Sequence, residues 1–211
     1  GEAQSRSTVQ ALMQLSRLAE KRQDYAEAQS WLDKVDSPQD TTEKTLRRAS
    51  LLAAQGQLSQ ARTLLRELPS DSAEDKRAAL MAEVQLLRDA QQLQAAYDLV
   101  GTAVAQSPQD GDLLYEQAML ADKLGKTSDM ERLLKSLIAS HPDYHHAYNA
   151  LGYSYADRGV QLEEARRLIR KALEFAPNDP YINDSLAWVE FRSGNSAEAL
   201  RILELAFKAK P

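Results

Sequence analysis

All three histidines of the chain fall between positions 141 and 146, as His141, His145 and His146, with Asp143 among them. Imidazole and carboxylate are the groups that bind zinc and other transition metals, and a zinc site converges three or four of them on one point. Adjacent helical residues point about 100° apart, so His145 and His146 are poorly placed to share an ion. Pro142 sets His141 at the end of one helix and the other two at the start of the next, and Asp143 is expected to cap that second helix. No metal site is expected. The stretch Gly152-Tyr-Ser-Tyr-Ala156 has part of the G-x-S-x-G nucleophile elbow, but it lacks the second glycine and the strand-turn-helix setting. Glu163 and Glu164 lie beside Arg166, Arg167 and Arg170, where ion pairs on a solvated helix face explain them better than acid-base catalysis. With no cysteine, the chain has no disulfide, thiolate nucleophile or zinc-thiolate set. No catalytic residue and no cofactor is expected.

The elements that carry these residues repeat. Segments such as Asp24–Leu32, Gln57–Leu65, Gln92–Val100 and Gln161–Ile169 share a small anchor with an aliphatic residue four positions later. The anchors are Ala28, Ala61, Ala96, Met130, Ala165 and Ala199, separated by 33, 35, 34, 35 and 34 residues. Gly56, Gly125, Gly159 and Gly194 sit five or six residues before an anchor, and Gln23 and Gln91 fill that place in the other two units. Pro108, Pro142, Pro177 and Pro211 sit twelve residues after one. Glycine lets the chain turn between helices, and proline ends one helix or opens the next. Each unit is therefore a helix pair. In the fifth unit the helices span about 144–158 and 162–175. Tyr148, Leu151 and Tyr155 form an apolar stripe on the first, and Ala165, Ile169, Ala172 and Leu173 form one on the second. No stretch alternates with a period of two, so strands are not expected. A pair of this length cannot bury both faces alone; stacked neighbours close a continuous core.

The fifth unit, Tyr148-x2-Leu151-Gly152-x2-Tyr155 followed by Ala165-x3-Ile169, Ala172 and Pro177, resembles the tetratricopeptide repeat (TPR). The resemblance implies an all-α, right-handed superhelical solenoid of six helix-turn-helix repeats. Their boundaries fall at 9–41, 42–76, 77–110, 111–144, 145–179 and 180–211, after an N-terminal tail or helix end at 1–8. The departures are specific. Ser16 replaces the small Gly or Ala of the first unit. Pro69 shortens the second. Glu83 and Val84 stand where Leu and Gly are usual, and Met130 stands for the anchor Ala. The fifth unit has one extra residue, and Asn183 and Glu190 occupy aromatic positions in the sixth. Residues 145–211 also look like the repeats of proteobacterial cell-envelope TPR scaffold and adaptor lipoproteins. That likeness implies a periplasmic location with a lipid anchor on an N-terminus lying before Gly1; a cytoplasmic location is the alternative. The opening Gly-Glu-Ala-Gln-Ser-Arg-Ser and the uncapped last unit read as a piece of a longer array.

In such arrays the first helices line a concave groove, and the stripe facing it recurs every four residues. This selects Met81 and Gln85 in the third unit, Tyr115 and Met119 in the fourth, Asn149 and Tyr153 in the fifth, and Asp184 and Trp188 in the sixth. Asp122 or Lys123, Asp157, and Phe191 or Arg192 continue the stripe. Aromatics bracketed by polar groups suit peptide or helix recognition. The expected function is a non-enzymatic scaffold or adaptor that binds a partner protein or peptide. Some TPR proteins hold a C-terminal carboxylate with paired lysines and asparagines on this face; Met81, Tyr115, Asn149 and Asp184 at the corresponding positions argue against such a clamp and favour a more apolar or basic ligand. A self-assembly element that stacks end to end, and a TPR arm of a larger envelope enzyme, are the alternatives. The net charge of -5 and interspersed Lys and Arg argue against nucleic acid, and no apolar run is long enough to span a membrane.

Overall fold

Residues 6–36, 40–69 and 72–208 are described by a computed structural model; Pro211 and part of the N-terminal tail lie outside them. Their twelve helices are α1 (Arg6–Lys21), α2 (Tyr25–Asp33), α3 (Thr41–Ala54), α4 (Leu58–Arg66), α5 (Ala73–Asp89), α6 (Leu93–Gln106), α7 (Gly111–Lys123), α8 (Thr127–Ser140), α9 (His145–Arg158), α10 (Leu162–Phe175), α11 (Pro180–Arg192) and α12 (Ser196–Lys208). The fold is all-α, as the repeat predicts. Neighbours in sequence pack as pairs, α1 on α2, α3 on α4, α7 on α8, α9 on α10 and α11 on α12.

Local chemistry sets the ends. Asp24, Asp110 and Asp179 accept from backbone amides of the first turns of α2, α7 and α11, and Pro180 opens α11 where its missing N–H costs nothing. The turns within pairs pass through the left-handed region at Gly56, Gly125, Gly159 and Gly194, and also at Gln23 and Gln91. The extra residue of the fifth unit is absorbed at Gln161, likewise left-handed. As Pro69 predicts, α4 is short and stops at Arg66. One expected cap is wrong: Tyr144, with no side-chain cap bond, occupies the N-cap of α9, and Asp143 does not cap it. The turn is held instead by the Tyr148 hydroxyl, which donates to the Pro142 carbonyl at 2.9 Å.

The chain divides into two compact units, Gly1–Ala96 and Tyr97–Pro211. In the first, buried apolar side chains form separate groups, among them Val9, Met13, Leu32 and Leu51 across α1–α3, and Ala49, Ala61, Leu65 and Ala79 across α3–α5. In the second, one group runs from Leu114 on α7 through Met130, Leu134, Leu151, Tyr155 and Ile169 to Val189 on α11. Each fully buried large aliphatic contributes about 1.5–3 kcal/mol relative to exposure. The anchors are all buried. At Gly152 the two helices approach closely: a Cβ there would lie 2.7 Å from Ile169 Cγ1 and 2.9 Å from the Ala165 carbonyl oxygen. Only glycine admits α10 at that distance.

Two carboxylates are buried where apolar residues are usual. In the first unit, Glu83 accepts from Arg62 at 2.8 Å and Arg66 at 2.7 Å. In the second, Glu190 accepts from Arg166 at 2.7 Å and Asn195 at 2.8 Å, with Arg170 at 3.5 Å. Burial opposes the charge on Glu190, yet its carboxyl is held below the usual range by the Arg166 and Asn195 hydrogen bonds. Arg166 bonds Glu163 as expected, but its side chain is only 13% exposed because it is committed to Glu190. The solvated-face reading is therefore corrected for Arg166.

Candidate partner-binding site

The second unit presents its first helices with a regular pattern of exposure. On α9, Leu151, Gly152, Tyr155 and Ala156 are buried, leaving Asn149, Tyr153 and Asp157 as the outward stripe one turn apart. Tyr153 is 43% exposed, a large side chain to leave in water beside a dense core. On α11, Asp184 is exposed and Trp188 half-buried between the buried Ser185, Ala187 and Val189. On α7, Tyr115 and Met119 are half-buried, and Asp122 and Lys123 are exposed. The six sequence-selected residues of this unit therefore lie on the outward stripes of α7, α9 and α11. The other two are in the first unit, where Met81 is half-buried and the exposed Gln85 donates to Asp89 at 2.6 Å.

Two clefts meet at Tyr153. The larger, about 520 Å³, lies between α11 and α12, walled by Tyr153, Trp188, Phe191, Leu200 and Leu203, with Asp184 on its lining. The smaller, about 290 Å³, is bounded by Met119, Asp122, Met130, Tyr153, Asp157 and Arg158. The Trp188 and Phe191 rings stack at 5.7 Å, and the Arg192 guanidinium lies 5.6 Å from the Trp188 ring centre. Arg192 also donates to the Asp157 carbonyl at 2.7 Å, which ties α11 to α9. Arg158 is engaged by Glu131 at 2.6 Å. Burial opposes the charge on Glu131, but its bonds to Arg158 and Lys135 keep its carboxyl below the usual range. The Trp188 indole N–H and the Asn149 side-chain oxygen are buried without a hydrogen-bond partner.

Leu200 and Leu203 are the wall residues that the groove-stripe rule missed, because it considered first helices alone. A signal was available. The position after the anchor is Gln29, Arg62, Tyr97, Glu131 and Arg166 in five units and Leu200 in the sixth.

His145 and His146 join an aromatic cluster. The Tyr115 ring centre lies 5.5 Å from that of Tyr144 and 6.1 Å from that of His146, and His145 and His146 are 4.1 Å apart. His141 Nδ1 is 2.9 Å from the Ser140 hydroxyl. Among the described residues no three His, Asp or Glu side chains gather as a metal requires. Burial pushes the Tyr115 hydroxyl up, with Glu116 adding to it. Burial, with help from the hydrogen bond to Asp112, pushes Tyr144 well above its ordinary value. Burial, then His145, lowers His146, which favours the neutral ring.

Known proteins agree with this architecture. The tetratricopeptide repeat profile matches residues 115–180, from α7 to the start of α11. A TPR repeat-containing protein of Pseudomonas aeruginosa is 35% identical over 197 residues, covering 93% of this chain. The chain is a tetratricopeptide repeat protein. It spans 33% of that curated relative's length. A TPR protein of Parabacteroides merdae has a TM-score of 0.66 at 16% identity, over 97% of this chain and 81% of that one. MamA of Desulfovibrio magneticus has a TM-score of 0.61 at 18% identity, over 82% and 98%. These structural likenesses concern the fold. TPR proteins generally serve as protein–protein interaction scaffolds. Among the described residues no helix is long and apolar enough to cross a membrane.

Proposed function

We propose that this TPR chain is a non-enzymatic scaffold or adaptor whose second unit grips a partner protein or peptide along the outward stripes of α7, α9 and α11. Tyr115, Met119, Asn149, Tyr153, Asp184 and Trp188 form the contact surface there, and Met81 and Gln85 hold the equivalent stripe positions of α5 in the first unit. Tyr153 carries the reading: it stands exposed at the junction of a larger apolar cleft and a smaller mixed one, while Leu151, Gly152, Tyr155 and Ala156 beside it are buried. Amphipathic rings on a rigid helical frame are effective anchors because ordering them costs little entropy. The work done is positioning, not bond chemistry. Repeats at the boundaries read from sequence, and a place on the periplasmic side of a bacterial envelope, belong to the same proposal; the likeness of residues 145–211 to envelope TPR lipoproteins supports the latter.

The test is the double variant Y153A/W188A. With a partner captured from native extract and then purified, affinity falls at least about 30-fold, the size of one interface hot spot, while the helical circular dichroism is unchanged. Unaltered affinity removes this surface from consideration. A second reading, self-assembly, is favoured by the exposed Leu200, Leu205 and Phe207 of α12. Light scattering that shows a strict monomer at all concentrations excludes it.

A further inference from the structure

Resting on the binding surface just described, we infer that its ligand is a segment both apolar and basic, with Lys or Arg side chains set among leucine-like or aromatic ones. Carboxylates edge both clefts, of which the larger is mainly apolar and the smaller mixed. Asp122 and Asp157 line the smaller cleft and Asp184 the larger, beside Met119, Tyr153, Trp188 and Phe191. Among the described residues these three carboxylates have no ion pair, and the neighbouring cations are directed elsewhere. Arg158 is bound to Glu131. Arg192 lies over Trp188 and donates to the Asp157 backbone carbonyl. Lys126 lies over the Tyr97 ring at 4.3 Å, and Lys123 extends into solvent.

A docking ligand dehydrates this surface. Carboxylates stripped of water without a counter-charge are costly, so a purely apolar segment loses affinity and an acidic one adds repulsion. A basic segment returns charge-assisted hydrogen bonds to all three. The rings favour the same ligand. Arg192 on Trp188 shows within the molecule how a guanidinium seats on this surface, and the face of Tyr153 offers a second such seat to an incoming cation. The net charge of -5 attracts the same class of ligand at longer range.

The probes are two fluorescein-labelled 15-residue peptides that share the same leucines and tryptophans and differ only in carrying lysines or glutamates. Their binding to the 211-residue chain is read by fluorescence anisotropy. The lysine peptide binds and weakens several-fold as salt rises from about 50 to about 300 mM, over which the screening length shortens markedly. D122N/D157N/D184N weakens it about 10-fold or more, as loss of several charge-assisted contacts requires. The control E43Q/E67Q/E74Q removes the same charge from exposed sites of the first unit and changes affinity less than about 2-fold. Equal loss in the two triple variants means diffuse attraction and overturns the inference, as does failure of the lysine peptide to bind. If the glutamate peptide binds equally well and Y153A/W188A abolishes it, the surface stands and its basic preference falls. If the lysine peptide binds but ignores Y153A/W188A, the surface itself is wrong, and the inference falls with it.

Discussion

The first unit makes its left-handed turns with Gln23, Gly56 and Gln91, whereas the second uses Gly125, Gly159 and Gly194, with Gln161 left-handed only at its one extra residue. A similar contrast recurs at the small-residue position of the first helix. Ser16 is fully buried at that place in the first unit, with its hydroxyl unpartnered, and Gly152 occupies it in the second. Each unit holds a left-handed glutamine and buried polar atoms without a partner, so the contrast is one of degree: two such glutamines and a buried Ser16 in the first, one such glutamine and Gly152 in the second. The second unit also has the longer continuous buried group and the large aromatics left at its surface. A rigid frame is what exposed anchors such as Tyr153 need, because a mobile support loses affinity to ordering.

Substitutions can break or sharpen this contrast. The largest effect is expected at the two buried glutamates. Glu190→Ala takes away the buried partner of the nearly buried Arg166, leaving it only the exposed Glu163, and lowers stability by about 2–3 kcal/mol. Glu83→Ala costs less, because its partners Arg62 and Arg66 are 26% and 56% exposed. Urea melts of both variants check the order, and equal losses break the contrast. Next, Gly152→Ala forces a carbon against the Ala165 carbonyl and costs about 1–3 kcal/mol of overpacking, although alanine is normally the better helix former. Ser16→Ala moves the other way and stabilises by about 1 kcal/mol, since it removes a buried hydroxyl that bonds nothing. Gln23→Gly and Gln91→Gly each add about 0.5–1 kcal/mol by relieving left-handed backbone. The smallest effect is a pH dependence. His146 has a lowered value, so the unfolded chain takes up its proton first and stability falls as pH drops below about 6.5. His146→Gln flattens thermal melts between pH 7 and pH 5.5; an unchanged slope assigns the effect elsewhere.

Much of the fold was legible because its determinants are local and periodic. The anchors set the period, and glycine or its stand-in glutamine marked each turn. Helix ends at Arg158, Leu162 and Phe175 follow directly from that rhythm. What escaped depends on partners distant in sequence. The ties of Glu83 to Arg62 and Arg66, and of Glu190 to Arg166, reach back to the preceding helix pair, and a sequence shows a charged residue without showing what it touches. Asp143 failed as a cap because α9 begins at His145, one residue later than the spacing implied, which puts Tyr144 at the N-cap. The outward stripe was legible as spacing. The two clefts were not, because Leu200 and Leu203 join the larger one from the second helix of its pair.

The central claim is that the stripes of α7, α9 and α11 are where a partner sits. Hydrogen–deuterium exchange of the complex with a purified partner tests it most directly. The account predicts slowed exchange in residues 115–123, 149–158 and 184–192, abolished in Y153A/W188A. Protection confined to α8, α10 and α12, or protection that survives Y153A/W188A, would contradict it.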